Sequence, residues 1–139
     1  MRKTIHSPEV LRLREVMAGL GISKPYSDKT ATGLTECILD FLNNVKGQQA
    51  ERYHSAGVPF IDRKTGEQRF GKPKTTTGTA DIHSTINGRS VKIEIKIGTD
   101  RQSPEQKNYQ QQVEKAGGIY YIAREFAEFS WWYYKTFEK

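Results

Sequence analysis

The sequence predicts a mixed α/β fold, an α+β arrangement in which helices flank a mixed sheet. Apolar residues recur at helical spacing in several segments, and two alternating runs flank the dipeptide Asn87-Gly88. A short apolar run at 119–123 indicates a further strand. The 139 residues, 35% of them apolar and 11% aromatic, fit one domain over 1–139.

Local signals give the elements in chain order. Ser7-Pro8 begins a helix that ends at Gly19 or Gly21, and Ser103-Pro104 begins another with a capping-box pattern. Between these two helices the sequence predicts a loop over 22–32, a helix over 34–46 that Gly47 ends, a strand over 48–55, and a hairpin within 57–78 whose tip is 64–66. Two strands flank Asn87-Gly88. After the second helix we expect a strand over 119–123 that is buried on both faces, and a segment over 125–137 that fits a helix better than a strand.

The Asn87-Gly88 dipeptide predicts a two-residue type I′ turn. This turn places Asp81 directly opposite Glu94, and it places Lys96 on the same face because side chains alternate along a strand. The other face carries Ala80 and the apolar residues from Ile82 to Ile97, which we expect to form the core.

Two facing carboxylates with an ammonium group one step away suit a divalent cation and phosphodiester hydrolysis. We expect Asp81 and Glu94 to bind Mg²⁺ or Mn²⁺, with the backbone carbonyl of Ile95 as a further oxygen ligand. Lys96 would hold the attacking water or neutralise developing negative charge.

The alternative interpretation of these residues is a solvent-exposed ladder of salt bridges on the polar face of the sheet. The like charges of Asp81 and Glu94 argue against it, since such a pair is destabilising unless something positive lies between them. His83 shares their face, but hard cations prefer oxygen ligands, so a metal or base role for it is disfavoured.

Charge and composition narrow the class of partner and compartment. The formal charge of +6 indicates an anionic partner, nucleic acid above all, although an alkaline protein without such a partner fits equally well. The single Cys37 excludes an internal disulfide, and no apolar run approaches a membrane span. We therefore expect a cytoplasmic protein that does not bind membranes.

The ordered motifs resemble a known family. Gly78-x-x-Asp81, Glu94-Ile95-Lys96, Ser103-Pro104-Glu105-Gln106 and Gly117-Gly118-Ile119-Tyr120 look like the VRR-NUC branch of the PD-(D/E)xK nucleases. The likeness is closest to the small stand-alone virus-type enzymes of phages and prophages, and it covers 34–126. The N-terminal helical extension (1–30) and the C-terminal aromatic segment (127–139) lie outside it, and Ala80 stands where the family usually has Pro.

The resemblance implies a restriction-endonuclease-like αβββαβ core with Mg²⁺ or Mn²⁺ at Asp81 and Glu94. It also implies a further acidic ligand, Glu36, from the first core helix; on sequence grounds, Glu36 is equally a solvated acid near the helix N-terminus. Gln106 matches a family glutamine that faces the active site, yet it can instead close the capping box with Ser103. We expect that one amide cannot fully satisfy both roles.

Four more residues are candidates for nucleic-acid contact. Gln110 lies one turn beyond Gln106, and Arg52 matches a strand position that often carries Arg in relatives, although an exposed sheet charge is an equal alternative. The basic loop with Lys72 and Lys74 suits backbone phosphates, or is simply solvated.

Together these features predict a metal-dependent, structure-selective DNA endonuclease. The resemblance to the small virus-type enzymes implies a likeness to Holliday-junction resolvases, and hence action on branched DNA as a homodimer. Nothing in the sequence resembles a base-reading element. The aromatic segment (Trp131, Trp132, Tyr133, Tyr134, Phe137) is a candidate dimer surface or ordinary core. The rival function is a non-catalytic nucleic-acid-binding module or a phage-encoded inhibitor on a nuclease scaffold.

Overall fold

The computed structural model describes residues 8–45, 47–53, 59–71 and 77–138. Its helices are α1 (Pro8–Gly19), α2 (Ala31–Asn44), α3 (Pro104–Lys115) and α4 (Phe126–Phe137). Its strands are β1 (Gln49–Arg52), β2 (Pro59–Ile61), β3 (Gln68–Phe70), β4 (Ile82–Ile86), β5 (Arg89–Ile95) and β6 (Ile119–Ala123). The mixed α/β class predicted from the sequence is confirmed. Across these ranges, no helix has the length and apolar character needed to cross a membrane.

The main sheet has the strand order β1-β4-β5-β6. The first three strands are antiparallel, whereas β6 runs parallel to β5, and α3 makes the crossover that this parallel pair requires. The succession α2, β1, β4, β5, α3, β6 is the expected αβββαβ order. A separate hairpin, β2 with β3, is inserted between β1 and β4.

The turn between β4 and β5 has the predicted conformation. Asn87 and Gly88 have φ angles of 51° and 77°, the positive values of a type I′ turn. Ile82 pairs with Ile93, which is the expected register. This pair ends the ladder, so Asp81 lies one residue beyond β4 rather than within it.

Helices cover the two faces of the sheet differently. Residues of α2 and α4 join one core with the apolar face of β4 and β5, where Phe41 meets Phe126 and Phe129 edge-on. On the other face α3 packs against β6, and the rings of Tyr109 and Tyr120 lie 6.2 Å apart. The polar face of β5 is thereby partly covered by α3.

The aromatic C-terminal segment is mainly core. The helix expected over 125–137 is confirmed as α4, and its Phe126, Phe129 and Tyr133 are fully buried. Trp131 and Tyr134 remain exposed, at 53% and 40%. The rings of this segment therefore pack mainly in the core, which is the second of the two interpretations given above.

Several predicted boundaries and one burial pattern were wrong. α2 begins at Ala31, inside the expected loop, because the Thr30 side chain caps the N–H of Gly33, and it ends at Asn44 because Val45 is extended. In β6 only Ala123 is buried, since β6 is an edge strand that pairs with β5 alone. The predicted Ser7 cap, Lys46 and residues 54–55 lie outside the described residues.

Candidate metal centre

Glu94 is a buried carboxylate on the face of β5 that α3 covers. It is 3% exposed, and its neighbour on the same face, Lys96, keeps only 13% of its side chain accessible. A solvent-exposed ladder would leave both in water. The burial of Glu94 therefore contradicts the alternative interpretation of these charges as a solvated surface.

The two oxygens of Glu94 have different surroundings. Oε1 accepts a hydrogen bond from Nε2 of Gln106 at 3.0 Å, and the Lys96 Nζ lies 3.8 Å from it. Within the part of the chain that the structure describes, Oε2 is buried and has no hydrogen-bond donor. Since an unpaired buried carboxylate oxygen is costly, this atom indicates a missing positive partner.

Asp81 lies beside Glu94 and is held by backbone. Its Oδ2 accepts the N–H of Ile95 at 2.9 Å, and its carbonyl accepts the N–H of Tyr53 at 2.8 Å. The N–H of Lys96 bonds Ala123 in β6, so the N–H of Ile95 points the other way, toward Asp81. The carbonyl of Ile95, expected as an oxygen ligand, is on this same side of the strand, because the N–H and C=O of a strand residue point together.

The pKa of Glu94 reflects this environment. Burial, followed by the charge of the neighbouring Asp81, raises the pKa of Glu94 to about 8, although Lys96 acts in the opposite direction. A divalent cation beside the two carboxylates would remove the same repulsion.

Gln106 fills both roles that we expected to compete, so that prediction was wrong. Its Oε1 accepts the N–H of Ser103 at 2.9 Å and its own N–H donates to the Ser103 hydroxyl at 3.1 Å, closing the capping box. The opposite end of the amide donates to Glu94. The two ends of one amide have opposite polarity, so the cap fixes which end faces the carboxylate.

Gly78 explains how α3 approaches the acidic pair. It has a φ of 82°, and a Cβ at this position would lie 2.5 Å from the carbonyl carbon of Glu105 and 2.7 Å from the backbone nitrogen of Gln106. Only glycine permits this approach. The segment that carries Asp81 therefore rests directly on the helix turn that carries Gln106.

Glu36, the third acid implied by the family resemblance, is not brought to this pair. Its side chain is 51% exposed and lies 3.5 Å from the Nζ of Lys24. No cluster of three or more His, Cys, Asp or Glu residues with metal-binding geometry occurs in the described ranges. The structure therefore places Asp81 beside Glu94 and does not add Glu36 to them.

The other predicted contact residues are only partly tested. Gln110 accepts a hydrogen bond from Gln102 at 2.9 Å, and Arg52 is exposed at the end of β1 beside Tyr53. Lys72 and Lys74 lie outside the described residues, so their phosphate contacts stay predictions.

The sequence interpretation missed the aromatic wall beside the pair. The His83 ring stacks on Tyr53 at 4.6 Å, and the hydroxyl of Tyr120 meets Nε2 of Gln102 at 3.3 Å. Burial, then the charge of Lys92, lowers the pKa of His83. The pairing of Tyr120 with Lys92, which only the structure gives, places Tyr120 on the polar face.

Comparison with known proteins adds no relative. No family model matches the chain. Searches of curated proteins and of solved structures also find no match. The likeness to VRR-NUC nucleases thus remains a prediction that depends on the motif residues.

Proposed function

We propose that this protein is a Mg²⁺- or Mn²⁺-dependent, structure-selective DNA endonuclease. The observation that carries the proposal is the buried carboxylate of Glu94, which has one oxygen without a donor and Asp81 beside it. Such a group is unfavourable in a purely structural role.

The donor set fits a hard cation. Asp81, Glu94 and the Ile95 carbonyl offer oxygen ligands only, which suits Mg²⁺ or Mn²⁺, and Mg²⁺ normally keeps several waters besides one or two carboxylates. A bound cation would neutralise the scissile phosphate and acidify a coordinated water.

The protein's own residues organise the site around that ion. Gln106 and Lys96 both address Oε1 of Glu94, so the carboxylate is held in one orientation with Oε2 left for a ligand. The nearly buried ammonium of Lys96 supplies fixed positive charge for the transition state. The backbone bond from Ile95 orients Asp81 in the same manner.

DNA is the proposed substrate because the chain carries a net charge of +6. A preference for branched DNA and action as a homodimer are proposed with it, on the family resemblance. The VRR-NUC assignment itself belongs to the same proposal.

The test is a cleavage panel with four-way junction, flap, duplex and single-stranded DNA, each with Mg²⁺, Mn²⁺, Ca²⁺ or EDTA. We expect cutting with Mg²⁺ and Mn²⁺, binding without cutting in Ca²⁺, and no cutting in EDTA. Asp81→Asn and Glu94→Gln should abolish cleavage. Glu114→Gln, the same chemical change at an exposed position of α3, should not.

Two results would count against the proposal. Full activity in Asp81→Asn or Glu94→Gln would remove the assigned site. DNA binding that is indifferent to metal, with no cutting under any condition, would instead favour the non-catalytic binding module.

A further inference from the structure

The inserted hairpin is a second surface that the acidic site does not use. We call residues 59–70, which comprise β2, β3 and their turn, the arm. All six strand residues of the arm are exposed, including Phe60 at 48%, Ile61 at 63% and Phe70 at 68%. Because a two-stranded hairpin is marginally stable alone in water, exposed rings on both of its sides indicate a binding role.

The pairing register sorts these side chains onto two faces. Pro59 pairs with Phe70 and Ile61 pairs with Gln68, so one face of the arm presents Pro59, Ile61 and Phe70 together. Phe60 is on the opposite face. Gln68 lies on the same face opposite Ile61, so the apolar part of this face is formed by Pro59, Ile61 and Phe70.

The tip of the arm is ordered and basic. The N–H of Gly66 bonds the carbonyl of Asp62 at 2.7 Å, and the Asp62 side chain accepts the N–H of Lys64 at 2.8 Å. Arg63 and Lys64 are exposed there, whereas Arg69 is paired with Asp62 at 3.3 Å. Two cations without an ion pair among the described residues thus lie at the end of an apolar face.

The placement and charge of the insertion favour a nucleic-acid partner. The chain leaves the main sheet at Tyr53, whose N–H bonds the carbonyl of Asp81, so the insertion starts beside the acidic pair. Residues 54–76 contain five basic and two acidic side chains, a concentrated share of the charge of +6.

We propose that the arm binds nucleic acid through its bases as well as its phosphates. Phe70 and Ile61 pack against base faces at an opened base step, and Arg63 and Lys64 neutralise adjoining phosphates. Apolar side chains are used in this way by proteins that unstack base steps, and aromatic rings stack on any base. The inference rests on the proposed function, because it assigns part of the substrate-binding surface of the same site.

The experiment measures binding rather than cleavage. A fluorescein-labelled four-way junction is titrated with wild-type protein, Phe70→Ala, Ile61→Ala and the double variant Arg63→Ala/Lys64→Ala, in Ca²⁺ and in EDTA. Gln112→Ala is the control, since this exposed side chain lies on α3, outside the arm. Thermal melts verify that each variant folds, and Phe70→Leu replaces Phe70→Ala if it does not.

We expect Phe70→Ala to weaken junction binding about tenfold with an unchanged salt slope, as for loss of one stacked base. The double variant should lower the slope of log K against log salt by up to about 1.8. Gln112→Ala should bind like the wild type.

If the arm binds a partner other than nucleic acid, the variants give different results, and each of the following results would overturn the proposal. Unchanged DNA affinity in both the Phe70→Ala and the double variant removes nucleic acid as the partner. A lower mass in sedimentation of Phe70→Ala, with unchanged DNA affinity per protomer, assigns the arm to a second copy of the chain. Lost binding to phosphatidylserine vesicles with unchanged DNA affinity assigns it to a membrane surface. Because the experiment measures binding and not cleavage, its outcomes can be interpreted even if the protein is not a nuclease.

Discussion

Replacing Gly78 by Ala tests whether the acidic pair and α3 are positioned by one backbone contact. Gly88→Ala is the matched control, because both glycines have similar positive φ angles, 82° and 77°, but a Cβ at Gly88 meets nothing within 4 Å. Both variants pay the cost of alanine in the left-handed region, about 1–2 kcal/mol. In Gly78→Ala the new Cβ would in addition lie 2.5 Å from the carbonyl carbon of Glu105, so the two segments must move apart.

That separation sets the magnitude. Carbon atoms pack at about 3.5–4.0 Å, so the Glu105–Gln106 backbone must move by about 1 Å or more. Overpacking of this kind costs about 1–3 kcal/mol. We therefore expect urea unfolding to give Gly78→Ala a free energy of unfolding that is lower than that of Gly88→Ala by about 1–3 kcal/mol. Because Gln106 moves away from Glu94, Gly78→Ala should also lose cation affinity under folded conditions, whereas Gly88→Ala should keep it. Equal effects of the two variants on both quantities would refute the coupling.

Three further predictions follow from the site. Lys96→Ala should lower turnover by about 10²-fold or more, as for the loss of one electrostatic donor, and single-turnover cleavage at saturating DNA measures it; an unchanged rate would leave Lys96 as a structural ion pair. The raised pKa of Glu94, about 8, means that the folded protein holds this proton more tightly than the unfolded chain. Its contribution is therefore complete below about pH 4.5 and is lost as the pH rises from there through about 8. Melts in EDTA should show this loss in wild type and little of it in Glu94→Gln, and parallel profiles would contradict the burial argument. Glu36→Gln should change cation affinity and cleavage less than about twofold, because Glu36 is exposed and faces Lys24; a loss like that of Asp81→Asn would return Glu36 to the ligand set.

The parts of the fold that the sequence predicted are those with strong local signals. Asn87-Gly88 carries its own turn conformation, and the register of β4 with β5 follows from it. The capping box of Ser103 and Gln106 likewise marks the start of α3. The order of the elements and the position of Glu94 on the polar face could therefore be predicted, because the residues that determine them lie close together in the chain.

The parts that were missed depend on packing between distant segments. The burial of Glu94 follows from where α3 lies over β5, which no local pattern encodes. The N–H of Phe126 at the start of α4 is capped by Asp28, 98 residues away. Glu36 similarly pairs with Lys24, which lies in the preceding loop. Motif spacing alone therefore gave the candidate ligands, but not which of them meet.

The most direct test of the central claim, that Asp81 and Glu94 bind a divalent cation, is a calorimetric titration of Mn²⁺ into DNA-free protein. The account predicts a saturable site in wild type and in Glu114→Gln, and loss of that site in Asp81→Asn and Glu94→Gln while their melts remain cooperative. The same Mn²⁺ isotherm in Glu94→Gln as in wild type would contradict the claim.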